Sequence, residues 1–149
     1  AAILDIKLKH LDRYNNRRQV AARAYTKALQ NHEAIITPKT FTHKSCDVKC
    51  SICDTCDCHV FHQYTLRITN GKRDVLAQYL GEKGIPFGIY YPIPLHQQKA
   101  YVDSRYNEAN FKVTNQLVNE VISLPMHTEL DEEQLKYITN AVLEFVHGS

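Results

Sequence analysis

Residues 88–101 read GIYYPIPLHQQKAY: an apolar run ending in Tyr90-Tyr91, a turn carrying Pro92 and Pro94, and a polar segment centred on His96. Ile85 to Tyr91 reads as a strand, and Pro92 stops it because proline cannot donate to a sheet ladder. Each proline also fixes its own φ and restrains the residue before it, so the X-Pro-X-Pro turn forms a rigid lip at the strand end. A rigid lip can hold a hydroxyl or an imidazole against a ligand. Tyr90, Tyr91 and His96 are therefore the leading candidate binding residues. The competing reading packs both tyrosines on the sheet edge with their hydroxyls in water.

Upstream, His59 to Ile68 is rich in β-branched and aromatic residues and alternates, which predicts another strand. On a strand, residues two or four apart share a face, so His59 and Gln63 would point one way and His62 the other. His59 is a candidate pocket residue on that reading, and His62 a structural histidine. Asn70-Gly71 marks a turn. Arg73 to Lys83 places Val75, Leu76, Tyr79 and Leu80 at helical spacing, with Gly84 positioned to end the helix. Downstream, a short helix is expected around Gln97 to Tyr101 and another from Thr114 to Ile122. A last helix covers Asp131 to Val146, opening DEEQ with acids where the helix dipole favours them.

Ala1 to Asn31 contains neither Gly nor Pro, and its apolar residues recur at mostly helical spacing. As one helix it would be about 45 Å long, against a radius of gyration of about 15 Å for a compact domain of this size. Such a helix implies that part of its packing surface lies elsewhere. The pattern as a whole is α+β: a long N-terminal helix, then a small antiparallel sheet with helices on one side, forming a single domain over 1–149.

The chain has 149 residues, 44% hydrophobic and 23% charged, with a formal net charge of +2. That composition is ordinary for a soluble globular domain, and the charge is too small to argue for nucleic acid. No apolar run approaches the roughly 20 residues needed to span a bilayer, and no signal peptide opens the chain. A cytoplasmic location is expected. The first residue is alanine, which fits a truncated or processed product. Basic residues concentrate at the start: Lys7, Lys9, Arg13, Arg17, Arg18, Arg23 and Lys27 against Asp5 and Asp12 before Gln30. Arginine forks bind phosphates in bidentate fashion, which makes Arg17 and Arg18 candidate contacts for a diphosphate. The alternative is a solvated basic face.

All five cysteines, Cys46, Cys50, Cys53, Cys56 and Cys58, lie in the polar loop 37–58. Cys50-x-x-Cys53-x-x-Cys56 has metal-thiolate spacing, with Cys58 or Cys46 as a fourth ligand for tetrahedral zinc, but no second paired knuckle follows at the usual distance. A disulfide framework is not expected in a reducing compartment. An incidental cysteine-rich loop is the alternative to a metal site. Gly-rich phosphate loops and serine nucleophile elbows are absent, and Lys83 and Lys99 do not occupy an apolar setting of the kind that activates a Schiff-base lysine.

Three blocks, HVFHQYTLRI (His59–Ile68), GIYYPIPLHQQKAY (Gly88–Tyr101) and NEVISLPMHTELDEEQLKYITNAVLEF (Asn119–Phe145), resemble in that order the C-terminal part of the DegT/DnrJ/EryC1/StrS family. Those proteins are pyridoxal-phosphate (PLP) aminotransferases acting on nucleotide-linked keto sugars. The resemblance covers nearly the whole chain apart from Thr37 to Cys58, and no segment resembles the family's cofactor lysine region. It implies the C-terminal small domain of a type I aminotransferase fold, with 1–31 as the helix joining it to the large domain. It further implies that the lip faces the nucleotide-sugar pocket. The family often has histidine where Tyr90 stands, so a role needing an imidazole there is not carried over. Tyr91, His96, Tyr90, Arg17, Arg18 and His59 would be substrate-binding. The lysine and the catalytic steps would belong to the large domain, with no catalytic residue in this chain, which alone would be inactive. Glutamate or glutamine would donate the amino group, and the intact enzyme would be a homodimer. Some relatives carry histidine in place of the lysine and are dehydratases. Outside the family, the alternatives are a non-catalytic metal-binding module and a folded fragment that binds nothing.

Overall fold

The computed structural model describes residues 2–39 and 59–148. The cysteine loop reading, from Cys46 to Cys58, falls outside them. Among the described residues the chain forms five α-helices and a three-stranded antiparallel sheet of order β1-β2-β3. The helices are α1 (Ala2–Leu8), α2 (Leu11–Leu29), α3 (Arg73–Glu82), α4 (Lys112–Glu120) and α5 (Glu132–His147). The strands are β1 (Ile35–Ile36), β2 (Tyr64–Ile68) and β3 (Val121–Leu124). None of these helices is long and apolar enough to cross a membrane.

Alternation along β2 builds the core. Tyr64, Leu66 and Ile68 are fully buried, while Thr65 and Arg67 point to the other face and are half-buried. In register, Leu66 pairs with Ile122 and Tyr64 with Leu124, so β3 extends the same apolar face. Against that face pack Tyr25 and Leu29 of α2, Leu76 and Leu80 of α3, and Ile138 and Val142 of α5. On the opposite face Thr65 and Ser123 share a hydroxyl hydrogen bond of 2.8 Å, and Arg67 forms a 2.7 Å ion pair with Glu120.

Two helix ends are determined locally. Gly84 adopts φ +70, and Ile85 N–H donates to the Leu80 carbonyl while Gly84 N–H donates to that of Gly81. This is a Schellman ending, and only glycine takes its left-handed position without penalty. At α5, Asp131 accepts from Gln134 N–H at 2.8 Å, and the Gln134 side chain accepts in return from Asp131 N–H. The two bonds satisfy donors that the first helical turn leaves free.

Several expectations are corrected. The single helix over 1–31 breaks at Lys9-His10, where His10 N–H reaches back to Lys7 in a tighter turn and His10 sits at φ −111, ψ 2. Because α1 buries none of its residues, nothing in the described chain holds it collinear with α2. The strand expected from His59 begins only at Tyr64, because Phe61 has φ +48. The strand expected over 85–91 shrinks to one bridge, Gly88 to Ser123. The helix expected to reach Ile122 stops at Glu120, and Val121–Leu124 is a strand. The short helix lies at Leu95–Gln97 as a 3-10 turn, with another at Glu108–Phe111.

At the centre, Tyr25 and Tyr64 pack with ring centroids 5.0 Å apart. The Tyr25 hydroxyl donates to the Pro125 carbonyl at 2.9 Å, and the Tyr64 hydroxyl lies 2.7 Å from Thr26 Oγ1. Removing the Tyr25 hydroxyl leaves a half-buried carbonyl without its partner, so Tyr25→Phe should cost about 0.5–1.5 kcal/mol in urea denaturation; an unchanged midpoint would contradict the pairing. Burial pushes the Tyr64 phenol up to about 12, the Thr26 bond opposing, and pushes Tyr25 upward as well, with Tyr64 adding to it. An unfolded tyrosine ionises near pH 10 (about its ordinary value), so the unfolded chain loses its proton first. This part of the stability is therefore complete below pH ~10 and is lost between ~10 and ~12. Thermal melts should show Tm falling across that window, with a shallower fall in Tyr64→Phe.

Candidate functional site

The Gly88–Ser123 bridge fixes where the lip begins, with both backbone bonds made (2.9 and 2.8 Å). Two residues on, the Tyr90 ring folds back over Gly88 so closely that a Cβ there would lie 2.5 Å from the ring. Glycine at position 88 thus serves the close approach of the Tyr90 ring rather than its own dihedral angles. Tyr91 follows at φ +58 and is 83% exposed. A bulky residue in the left-handed region stores about 1–3 kcal/mol and persists only where its surroundings over-determine it. Here the bridge and the folded Tyr90 ring hold one side of Tyr91, and Pro92 restricts the other. The hydroxyl is presented outward on a backbone with little freedom to retreat.

Beneath the lip, His62, Gln63, Gly88, Tyr90, Ser123 and Met126 are among the residues lining a cleft of about 170 Å³. Strand alternation would place His62 and Gln63 on opposite faces; the structure places them in one cleft. The cause is the turn at Phe61. Its N–H donates to His59 Nδ1 at 3.0 Å, its ring packs 4.4 Å from the His59 ring, and Gln19 Nε2 donates to the His59 carbonyl at 3.1 Å. His59 is consumed in shaping this turn and does not line the cleft. The left-handed Phe61 has no sequence signal, since the turn depends on contacts with α2.

His96 is not an open imidazole. Its side chain is 7% exposed, stacked on Phe111 at 3.9 Å and 12°, with Nε2 3.2 Å from Glu108 Oε2. It lines a second, mainly apolar cleft of about 300 Å³ with Leu95, Tyr101, Tyr106, Phe111 and Thr114. Glu108 went unrecognised in the sequence, where a lone carboxylate twelve residues from its partner carries no pattern. Its carboxyl is held below the usual range by hydrogen bonds from Asn115 first, then His96 and Gln97.

The two arginines part company. Arg17 Nη1 forms a 2.8 Å ion pair with Glu129 and donates to the Thr128 carbonyl, in a third cleft beside Asn16, Val20 and Asp131. Its charge is engaged within the chain, which weakens the case for a diphosphate contact. Arg18 is half-buried, and its Nε has no partner. Tyr90, His96 and Arg17 therefore line three separate clefts rather than one. Among the described residues no cluster of His, Cys, Asp or Glu is arranged to hold a metal ion, and the cysteines lie outside them.

A small antiparallel sheet backed by α2, α3 and α5, with a tyrosine lip on the free edge of β3, is the framework that carries these clefts. Its place among known proteins follows from comparison. The model of the DegT/DnrJ/EryC1/StrS aminotransferase family matches residues 1–143. The chain is 37% identical over 147 residues to the pleiotropic regulatory protein of Geobacillus stearothermophilus, covering 97% of this chain and 36% of that protein. It is 34% identical over 142 residues to dTDP-3-amino-3,6-dideoxy-alpha-D-galactopyranose transaminase of Aneurinibacillus thermoaerophilus, covering 95% and 34%. Among solved structures, S. venezuelae DesV in complex with a ketimine intermediate matches at TM-score 0.79 and 30% identity, covering 97% of this chain and 35% of that one. An aminotransferase from Brucella abortus matches at TM-score 0.78 and 30% identity, covering 99% and 35%. This chain belongs to the DegT/DnrJ/EryC1/StrS aminotransferase family. It spans about a third of the length of the curated relatives it matches.

The lip's geometry can be tested directly. Gly88→Ala should drive the Tyr90 ring out of the cleft into solvent, at a stability cost within about 1 kcal/mol because a half-exposed ring can move. A crystal structure of the variant with Tyr90 unmoved would contradict this. Tyr91→Gly should melt no lower than the parent, since relief of the left-handed tyrosine offsets the roughly 0.5–1 kcal/mol entropy cost of glycine.

Proposed function

We propose that this chain is the C-terminal part of a PLP-dependent aminotransferase that moves an amino group from glutamate or glutamine onto a nucleotide-linked keto sugar. Its own contribution is to wall the sugar side of the site. The carrying observation is the tyrosine lip: Tyr91 projects its hydroxyl from a strained, over-determined backbone while Tyr90 roofs a polar cleft containing His62 and Gln63. Strain of that kind concentrates at binding sites. Family membership and the printed activity of the A. thermoaerophilus relative support the reading.

The described lysines do not fit a PLP site. Each is exposed or half-exposed, and Lys83 and Lys136 are engaged with Glu144 and Glu132. A Schiff-base lysine needs a desolvated or cation-adjacent setting that lowers its pKa, whereas the carboxylates here raise it; at Lys83 the Tyr79 hydroxyl is the leading cause. The poor fit of the described lysines supports reading the cofactor as held by other parts of the protein, with no step of the reaction in this chain. The exposed apolar residues Ile3, Leu4, Ile6 and Leu8 of α1 support the same reading, because a helix that buries nothing is poised to pack on further polypeptide. The proposal includes a homodimeric, cytoplasmic enzyme.

In the full-length protein, a UDP- or dTDP-linked amino sugar should raise Tm by mass action, about 2.7 kcal/mol of stabilisation at a hundredfold excess over Kd. Tyr91→Ala should require about tenfold more ligand for the same shift, the loss of about 1.4 kcal/mol. No shift with either nucleotide would sink the reading.

A further inference from the structure

We propose that Glu108 is a positioning residue: its carboxylate fastens the segment after the lip to α4 and so sets the wall that His96 and its neighbours present to the ligand. The inference rests on the function proposed above for the lip.

One carboxylate joins three elements. Gln97 Nε2, in the 3-10 turn at Leu95–Gln97, donates to both oxygens of Glu108 at 3.1 and 3.2 Å. Asn115 Nδ2, on α4, donates at 2.8 Å, and His96 Nε2 lies at 3.2 Å. Glu108 itself opens the second 3-10 turn, where Asn107 accepts from Ala109 N–H and holds the backbone in place. Three of these contacts fall on Oε2 and one on Oε1, so side chains from two other elements converge on a single carboxylate. That convergence within the chain is what marks Glu108 for a positioning role. Phe111 completes the arrangement by stacking on the His96 ring while Tyr106 meets Phe111 edge-on at 6.0 Å. With its face covered and Nε2 tied to Glu108, His96 is left to work through Nδ1 and through the apolar cleft it lines with Tyr101 and Thr114.

The fastening is local. The Glu108 side chain is 59% exposed, and exposed charged contacts contribute little to global stability. Its loss should therefore leave the core melting as before while the segment between His96 and Glu108 loosens. The backbone bonds available to report this are Gln97 to Pro94, Tyr101 and Val102 to Gln98, and Tyr106 to Asp103.

The test compares full-length parent, Glu108→Ala and Glu108→Gln by amide hydrogen exchange and by steady-state kinetics with a nucleotide-linked keto sugar. In Glu108→Ala, exchange at Gln97, Tyr101, Val102 and Tyr106 should accelerate about tenfold while α5 is unchanged. KM for the sugar should rise about tenfold with kcat altered less than about twofold, the signature of lost ground-state positioning. Glu108→Gln, which keeps the shape and one acceptor oxygen, should fall between. Parent-like exchange in Glu108→Ala would overturn the fastening. Faster exchange with an unchanged KM would overturn the positioning role. A parent protein that neither binds nor aminates any nucleotide-linked sugar would instead overturn the proposed function, and the exchange comparison would still decide whether Glu108 holds the segment.

Discussion

The buried pair Tyr25–Tyr64 is the interaction on which the remaining architecture depends. Two large rings fill the junction between α2 and β2, and each hydroxyl must find a partner because an unmet polar group there is costly. Tyr64 meets Thr26, which fixes the rotation of α2 about its axis; Tyr25 meets the Pro125 carbonyl, which fixes where the chain goes after β3. Both hydroxyls are satisfied only if helix, strand and loop arrive together. The pair therefore specifies one packing arrangement as well as stabilising it.

From that junction the order passes outward to the lip. Placing Pro125 sets the end of β3, and β3 supplies Ser123, to which Gly88 docks. Gly88 in turn receives the Tyr90 ring, and only then is Tyr91 committed to its left-handed conformation. Each step relies on the one beneath it, so strain at Tyr91 is supported by a core some distance away. The turn at Phe61 is a second product of the same packing: it rests on His59 and Gln19 and ends in Tyr64. The chain neighbours of the two left-handed residues, His62 and Tyr90, line one cleft together with Ser123 and Leu124 of β3.

The charged residues show why an inventory of side chains is a poor guide to a binding site. Arg17 looks available in the sequence, yet Glu129 meets it from 112 positions away. His96 looks like an exposed loop histidine, yet it is covered by Phe111 and tied to Glu108. Tyr91, by contrast, is exposed where an aromatic residue of that size would ordinarily bury its ring. The groups left open after internal pairing are those with a claim to a ligand.

The elements with strong local causes were legible in the amino-acid sequence. Period-3.6 spacing marked α2, α3 and α5, Gly84 and Asp131 marked helix ends, the α+β class followed from the mixture of periods, and Pro92 marked the lip. The family resemblance was carried by short blocks that include these same signals. Tertiary structure alone decided the rest. The turn at Phe61, the strand Val121–Leu124, and the pairings of Arg17 with Glu129 and His96 with Glu108 all depend on distant residues meeting, while the break at Lys9-His10 falls where α1 has no packing surface to hold it. A single sequence encodes periodicity and caps within one element, where the physics is local. Which side chains find each other across the fold is settled only when the core brings them within hydrogen-bonding distance.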